Sequence, residues 1–157
     1  IGIEISNPGH KYGYKNFSFN QIKSVIKLSK NLKKKYNIRR ENILGHSDIA
    51  PLRKKDPGEK FPWSLLAKKK ICIWHSLSKN FLEKNRFVKI TNDDEKFFFK
   101  NLLKIGYTFK NKKKIKKKIF LNLLTKAFQR RFRQEIVNGK IDKECFLISE
   151  NIAKKLG

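Results

Sequence analysis

At 157 residues, with 39 Lys and Arg against 13 Asp and Glu, the chain has a formal charge of +26, a balance that would ordinarily suggest nucleic acid. The basic residues, however, run along the whole chain and are mostly lysine, alongside abundant Asn, Ile and Phe; this fits drift in an AT-rich genome, and no RNA- or DNA-binding signature interleaves them. No stretch reaches the roughly 20 apolar residues of a membrane helix, and two cysteines (Cys72, Cys145) without a CxxC exclude a zinc knuckle and a disulfide framework.

Ile1 stands where a methionine would, inside a strand pattern and with no signal-peptide pattern, so the sequence reads as a fragment of a longer chain. Ile1 to Ile5 is rich in β-branched residues and is expected to be a buried strand. Residues 6–17 carry Pro8, Gly9 and Gly13 and read as a loop. Ser18 and Gln21 form a capping-box pattern, and Ile22, Val25, Ile26, Leu32 and Tyr36 follow at helical spacing until Asn37. Ile43-Leu44 is expected to be a short strand that delivers His46 to its C-terminal end, where sites in α/β sheets usually lie.

Pro62-Trp63 opens a short helix to about Lys69, and residues 70–91 show no clear period. Thr91 or Asn92 can cap a helix whose first turn holds Asp93, Asp94 and Glu95, and Gly106 fits its end. The lysine run 112–118 leads into a second helix, with a stripe of Ile115, Ile119, Leu123, Ala127, Phe128 and Phe132. Asn138-Gly139 marks a turn, and Cys145, Ile148, Ile152 and Leu156 define a third helix. The expected fold class is α/β: the back half of a mixed-sheet domain over 1–70, a linker over 71–91 and a small three-helix bundle over 92–157.

The segment Gly45-His46-Ser47-Asp48-Ile49-Ala50-Pro51-Leu52-Arg53-Lys54-Lys55-Asp56-Pro57-Gly58 carries the chemistry. His46 and Asp56 stand ten positions apart, at the two ends of a loop that two prolines and a glycine can fold back on itself. Imidazole and carboxylate together suit a zinc ion that keeps an open position. Lys54 would bring a fixed positive charge to the same place. Asp48 is a rival ligand, but an aspartate two residues past the histidine is better suited to bracing the turn through nearby backbone groups. His10 could approach from its Gly-rich loop; His75 beside Trp74 reads as structural, and Trp63 as a packing anchor. Glu4 in a buried strand would need a polar partner or a function.

This loop resembles the zinc-ligand segment of the type-2 N-acetylmuramoyl-L-alanine amidases, including the continuation Phe61-Pro62-Trp63. Ile1-Gly2-Ile3-Glu4-Ile5 with Asn7-Pro8-Gly9 is similar to the family's glutamate-bearing strand, and residues from about 92 onward resemble its helical peptidoglycan-binding domain. The resemblance implies that the mixed-sheet part is a zinc amidase domain, with His46 and Asp56 as metal ligands and a further histidine upstream of Ile1. It implies that Glu4 assists proton transfer, that Lys54 stabilises the oxyanion, and that the cofactor is Zn2+. Peptidoglycan or muropeptides would be the substrate, cleaved between N-acetylmuramic acid and L-alanine. The expected partners exclude nucleic acid, and the expected state is a monomer in the periplasm or cell envelope, with a cytoplasmic recycling role as the alternative. Two rival readings remain: a non-catalytic peptidoglycan-binding protein, and a basic nucleic-acid-binding protein.

Overall fold

A computed structural model describes residues 1–108 and 115–157. Among these residues every regular element is helical: α1 (Phe19–Tyr36), a 3-10 turn (Arg40–Asn42), α2 (His46–Ile49), α3 (Trp63–Lys68), α4 (Lys79–Asn85), α5 (Asn92–Ile105), α6 (Lys117–Phe132) and α7 (Lys143–Lys155). The α/β expectation, the back half of a mixed sheet, is therefore overturned. A strand exists only where a second strand completes its hydrogen bonds. Neither the Ile1–Ile5 stretch nor Ile43-Leu44 pairs with another strand among the described residues. Ile1 is 80% exposed, and Ile3 is also exposed, so the apolar run at the start is not buried.

Where the ends of helices are encoded locally, sequence and structure agree. Ser18 Oγ accepts the Gln21 amide at 3.2 Å while Gln21 Oε1 accepts the Ser18 amide at 2.9 Å, and Asn37 closes α1 in the left-handed conformation at φ 49°. Thr91 and Asp94 make the same reciprocal pair at the start of α5, and Gly106 ends it at φ 109°. Such a cap contributes about 1 kcal/mol. Asp142 caps α7 by accepting the Cys145 amide at 3.0 Å. Helix α4 lies within 70–91, where no period marks it; Ser78 caps it. In the lysine run, residues 112–114 lie outside the described residues.

Two apolar clusters form the interior. The first gathers Ile22 and Val25 of α1 with Phe61, Trp63, Leu66, Ala67, Ile71 and Cys72. The second gathers Leu82 of α4, Phe98, Leu102 and Tyr107, then Phe120, Leu124, Phe128 and Phe132 of α6, and Cys145, Ile148 and Ile152 of α7. The buried face of α6 keeps Ala127, Phe128 and Phe132 of the expected stripe, but in its first half Ile119 is 52% exposed while Phe120 and Leu124 point inward. Both cysteines are buried free thiols. Behind α7, Arg86 makes a two-pronged pair with Glu144, with both N–H to O distances at 2.8 Å. Trp74 packs against both clusters, and Gln134 donates to the Phe61 carbonyl at 2.7 Å.

Candidate active site

Residues 45–61 fold into a short helix followed by a return loop that brings back what the sequence sets apart. Gly45 precedes α2 and has to be a glycine: a Cβ there would sit 2.7 Å from Pro57 Cδ and 3.1 Å from Trp63 Cζ2. His46 is the first residue of α2, and the Ser47 amide donates to the Asp56 carbonyl at 2.9 Å. That bond pins the far end of the loop beside the histidine. His46 Nδ1 and Asp56 Oδ2 then meet in direct contact, with both side chains about half exposed, at 48% and 52%. An imidazole and a carboxylate sharing one accessible point can hold a cation between them or pass a proton. No group of three or more His, Cys, Asp or Glu residues that could hold a metal ion occurs among the described residues.

Neither Glu4 nor Lys54 makes a hydrogen bond or ion pair with this pair among the described residues. Glu4 is exposed in the N-terminal stretch, which has no regular structure. Lys54 is half-buried on the return loop, its amide donating to the Ala50 carbonyl at 2.9 Å. Asp48 does more than brace a turn. Its Oδ2 accepts the Gly45 amide and Arg131 Nη1, both at 2.8 Å, and its Oδ1 accepts the Tyr107 hydroxyl at 2.8 Å. Arg131 also donates to the Ile43 carbonyl at 2.9 Å, and its guanidinium lies 4.0 Å from the centre of the Trp63 ring. With three donors already engaged, Asp48 is a buried anchor of the loop. Burial, reinforced by the Asp48 carboxylate, raises the Tyr107 hydroxyl well above its ordinary pKa and keeps it a neutral donor.

His10 does approach the loop. Its Nε2 meets Glu59 Oε2 at 3.0 Å, and its ring stacks on Tyr14 at 4.4 Å. Burial works against the Glu59 charge, yet the hydrogen bond and charge of His10, with Arg130 nearby, hold its carboxyl below the usual range. Tyr14 donates to the Pro57 carbonyl at 2.7 Å and accepts the Lys60 amide at 2.9 Å. Gly58, at φ +83°, would carry a Cβ 2.6 Å from that hydroxyl. His75 is structural in setting: burial, with Lys155 adding repulsion, lowers its pKa to about 4.

Sequence reasoning missed Arg131, Tyr107, Tyr14 and Glu59. Arg131 left one readable trace, since it falls three residues after Phe128 and so on the inward side of α6. Nothing local marks Tyr14 or Glu59 as partners.

A family model described as N-acetylmuramoyl-L-alanine amidase matches residues 1–59. The chain is 35% identical over 164 residues to N-acetylmuramoyl-L-alanine amidase AmiD of Escherichia coli (strain K12), an alignment covering 100% of this chain and 58% of that protein. The structure of AmiD from Escherichia coli in complex with anhydro-N-acetylmuramic acid-L-Ala-D-gamma-Glu-L-Lys is similar at TM-score 0.78 and 33% identity, over 91% of this chain and 55% of that one. AmpDh3 from Pseudomonas aeruginosa, in complex with anhydromuramic pentapeptide, is similar at TM-score 0.74 and 26% identity, over 91% and 55%. The chain thus spans a little over half the length of the relatives it matches.

Proposed function

We propose that the chain belongs to the N-acetylmuramoyl-L-alanine amidase family, whose model matches residues 1–59, and that it serves zinc-dependent hydrolysis of the amide between N-acetylmuramic acid and L-alanine in peptidoglycan or muropeptides. The observation that carries this reading is the meeting of His46 and Asp56, inside the segment the family model matches. The muropeptide in the AmiD complex supports the substrate class.

The donor set fits zinc. A ring nitrogen and a carboxylate oxygen converge at a point that is half exposed, which leaves room for further ligands. His46 and Asp56 would hold the ion, and a third protein donor would come from outside the described residues. Zinc, when bound, supplies Lewis acidity toward the scissile carbonyl and the attacking water.

The chain's own residues do the rest. The Ser47 amide and Gly45 fix the spacing of the two donors, and the buried Asp48 keeps α2 in place. Glu4 would move the proton and Lys54 would steady the developing oxyanion. Both roles rest on the family resemblance, and that of Glu4 requires it to approach the pair. Helices α5–α7 would hold the enzyme on the wall, in the periplasm or cell envelope. No helix among the described residues is long and apolar enough to cross a membrane.

The test is zinc content after loading and dialysis. In a longer chain that also carries the third donor, the wild type is expected to retain zinc, and His46→Ala and Asp56→Ala are each expected to lose it. Full zinc in either variant would show that the ligand assignment is wrong.

A further inference from the structure

The return loop reaches His46 through one residue of the N-terminal loop. Tyr14 sits 43 positions before Pro57, yet its hydroxyl donates to the Pro57 carbonyl at 2.7 Å and accepts the Lys60 amide at 2.9 Å. One oxygen therefore closes the turn that begins immediately after Asp56. Lys60 returns the contact: its ammonium donates to the Tyr14 carbonyl at 2.8 Å and lies 5.2 Å from the centre of the Tyr14 ring. The ring itself is held by stacking on His10 at 4.4 Å and edge-on by Phe17 at 6.4 Å. Gly58 leaves the space, since any Cβ there would collide with the hydroxyl and with His10 Cε1 at 2.8 Å. Burial is the main cause that raises the phenol to a pKa of about 12, so it stays a protonated donor through the neutral range.

We propose that Tyr14 is the positioning residue of the Asp56 arm: its hydroxyl fixes the 57–60 turn so that the Asp56 carboxylate stays against His46. The proposal rests on the zinc-site reading for its functional meaning, but not for its structural test. Without the hydroxyl, the turn loses two of the bonds that tie it to the N-terminal loop and keeps only the Lys60 ammonium on the Tyr14 carbonyl and the His10–Glu59 contact, both exposed, while the Asp56 carbonyl keeps the Ser47 amide. A carboxylate on a looser arm spends less time at the histidine, and a shared ion is then held less tightly.

Tyr14→Phe is the discriminating variant, because it keeps the ring, the His10 stack and the Phe17 contact while deleting two hydrogen bonds. The first readout needs no metal: hydrogen exchange of the Ser47 and Lys60 amides, compared with the Leu124 and Phe128 amides of α6. The expected result is a loss of protection of about tenfold or more at Ser47 and Lys60, with the α6 amides unchanged. The second readout is zinc alone, titrated into the wild type and the variant, with an expected loss of affinity of about tenfold at His46. Ser47 protection equal to wild type in Tyr14→Phe would overturn the proposal, as would a uniform drop that includes α6, which marks general destabilisation. If a longer wild-type chain that carries the third donor shows no zinc response at His46, the zinc reading fails, and the exchange arm still decides the role of Tyr14.

Discussion

Asp48→Ala is expected to be among the most destabilising single changes available near the site. The Asp48 carboxylate takes three bonds at 2.8 Å, from the Gly45 amide, Tyr107 and Arg131, with side-chain exposures of 5% for Asp48 and 2% for Arg131. Removing it strands a buried guanidinium and leaves two further donors without an acceptor. Breaking a buried pair from one side costs about 3–5 kcal/mol. Arg131 keeps the Ile43 carbonyl and the Trp63 face, which offset part of that loss, so the expected value is near the lower end, about 3 kcal/mol. Adding Arg131→Met removes the stranded charge, and the double variant should regain about 1–2 kcal/mol over Asp48→Ala. Urea unfolding followed by far-UV circular dichroism measures all three chains. A cost below about 1 kcal/mol for Asp48→Ala, or a double variant no more stable than the single, would refute the anchor role.

Two further outcomes follow from neighbouring groups. His75 binds a proton less readily when folded, at a pKa of about 4 against an ordinary 6.5, so its contribution is fully present above pH 6.5 and is lost as pH falls toward 4; His75→Phe should flatten that part of a melting-temperature profile against pH. Gly58→Ala places a methyl group against Tyr14 at a left-handed φ of +83°, and urea unfolding should show a loss of at least about 1 kcal/mol.

What the sequence made legible was what depends on neighbours in the chain. The caps at Ser18 and Thr91, the stops at Asn37 and Gly106, and the return of Asp56 toward His46 are set by residues within about ten positions of each other. The Ile1–Ile5 strand was misread because a β-branched run states only a preference, and a strand needs a partner that the run does not contain. Only the first half of the α6 stripe was misplaced, with Phe120 and Leu124 inward in place of Ile119 and Leu123, while Ala127, Phe128 and Phe132 are buried as expected; Thr125, Gln129 and Arg131 face inward beside the phenylalanines and blur the apolar period. Arg131 meets Asp48 across 83 positions and Tyr14 meets Pro57 across 43, distances at which spacing carries no signal.

The two tryptophans lie where the apolar clusters join. Trp63 is buried in the first cluster under the Arg131 guanidinium, and Trp74 touches both clusters, 5.7 Å from the ring of Phe132. Both indoles would therefore gain water as soon as the seam opens, even with every helix intact. Their emission would then shift to the red and become open to iodide quenching before helical signal is lost. The chain thus carries its own optical gauge of whether α6 stays seated on the segment that presents His46.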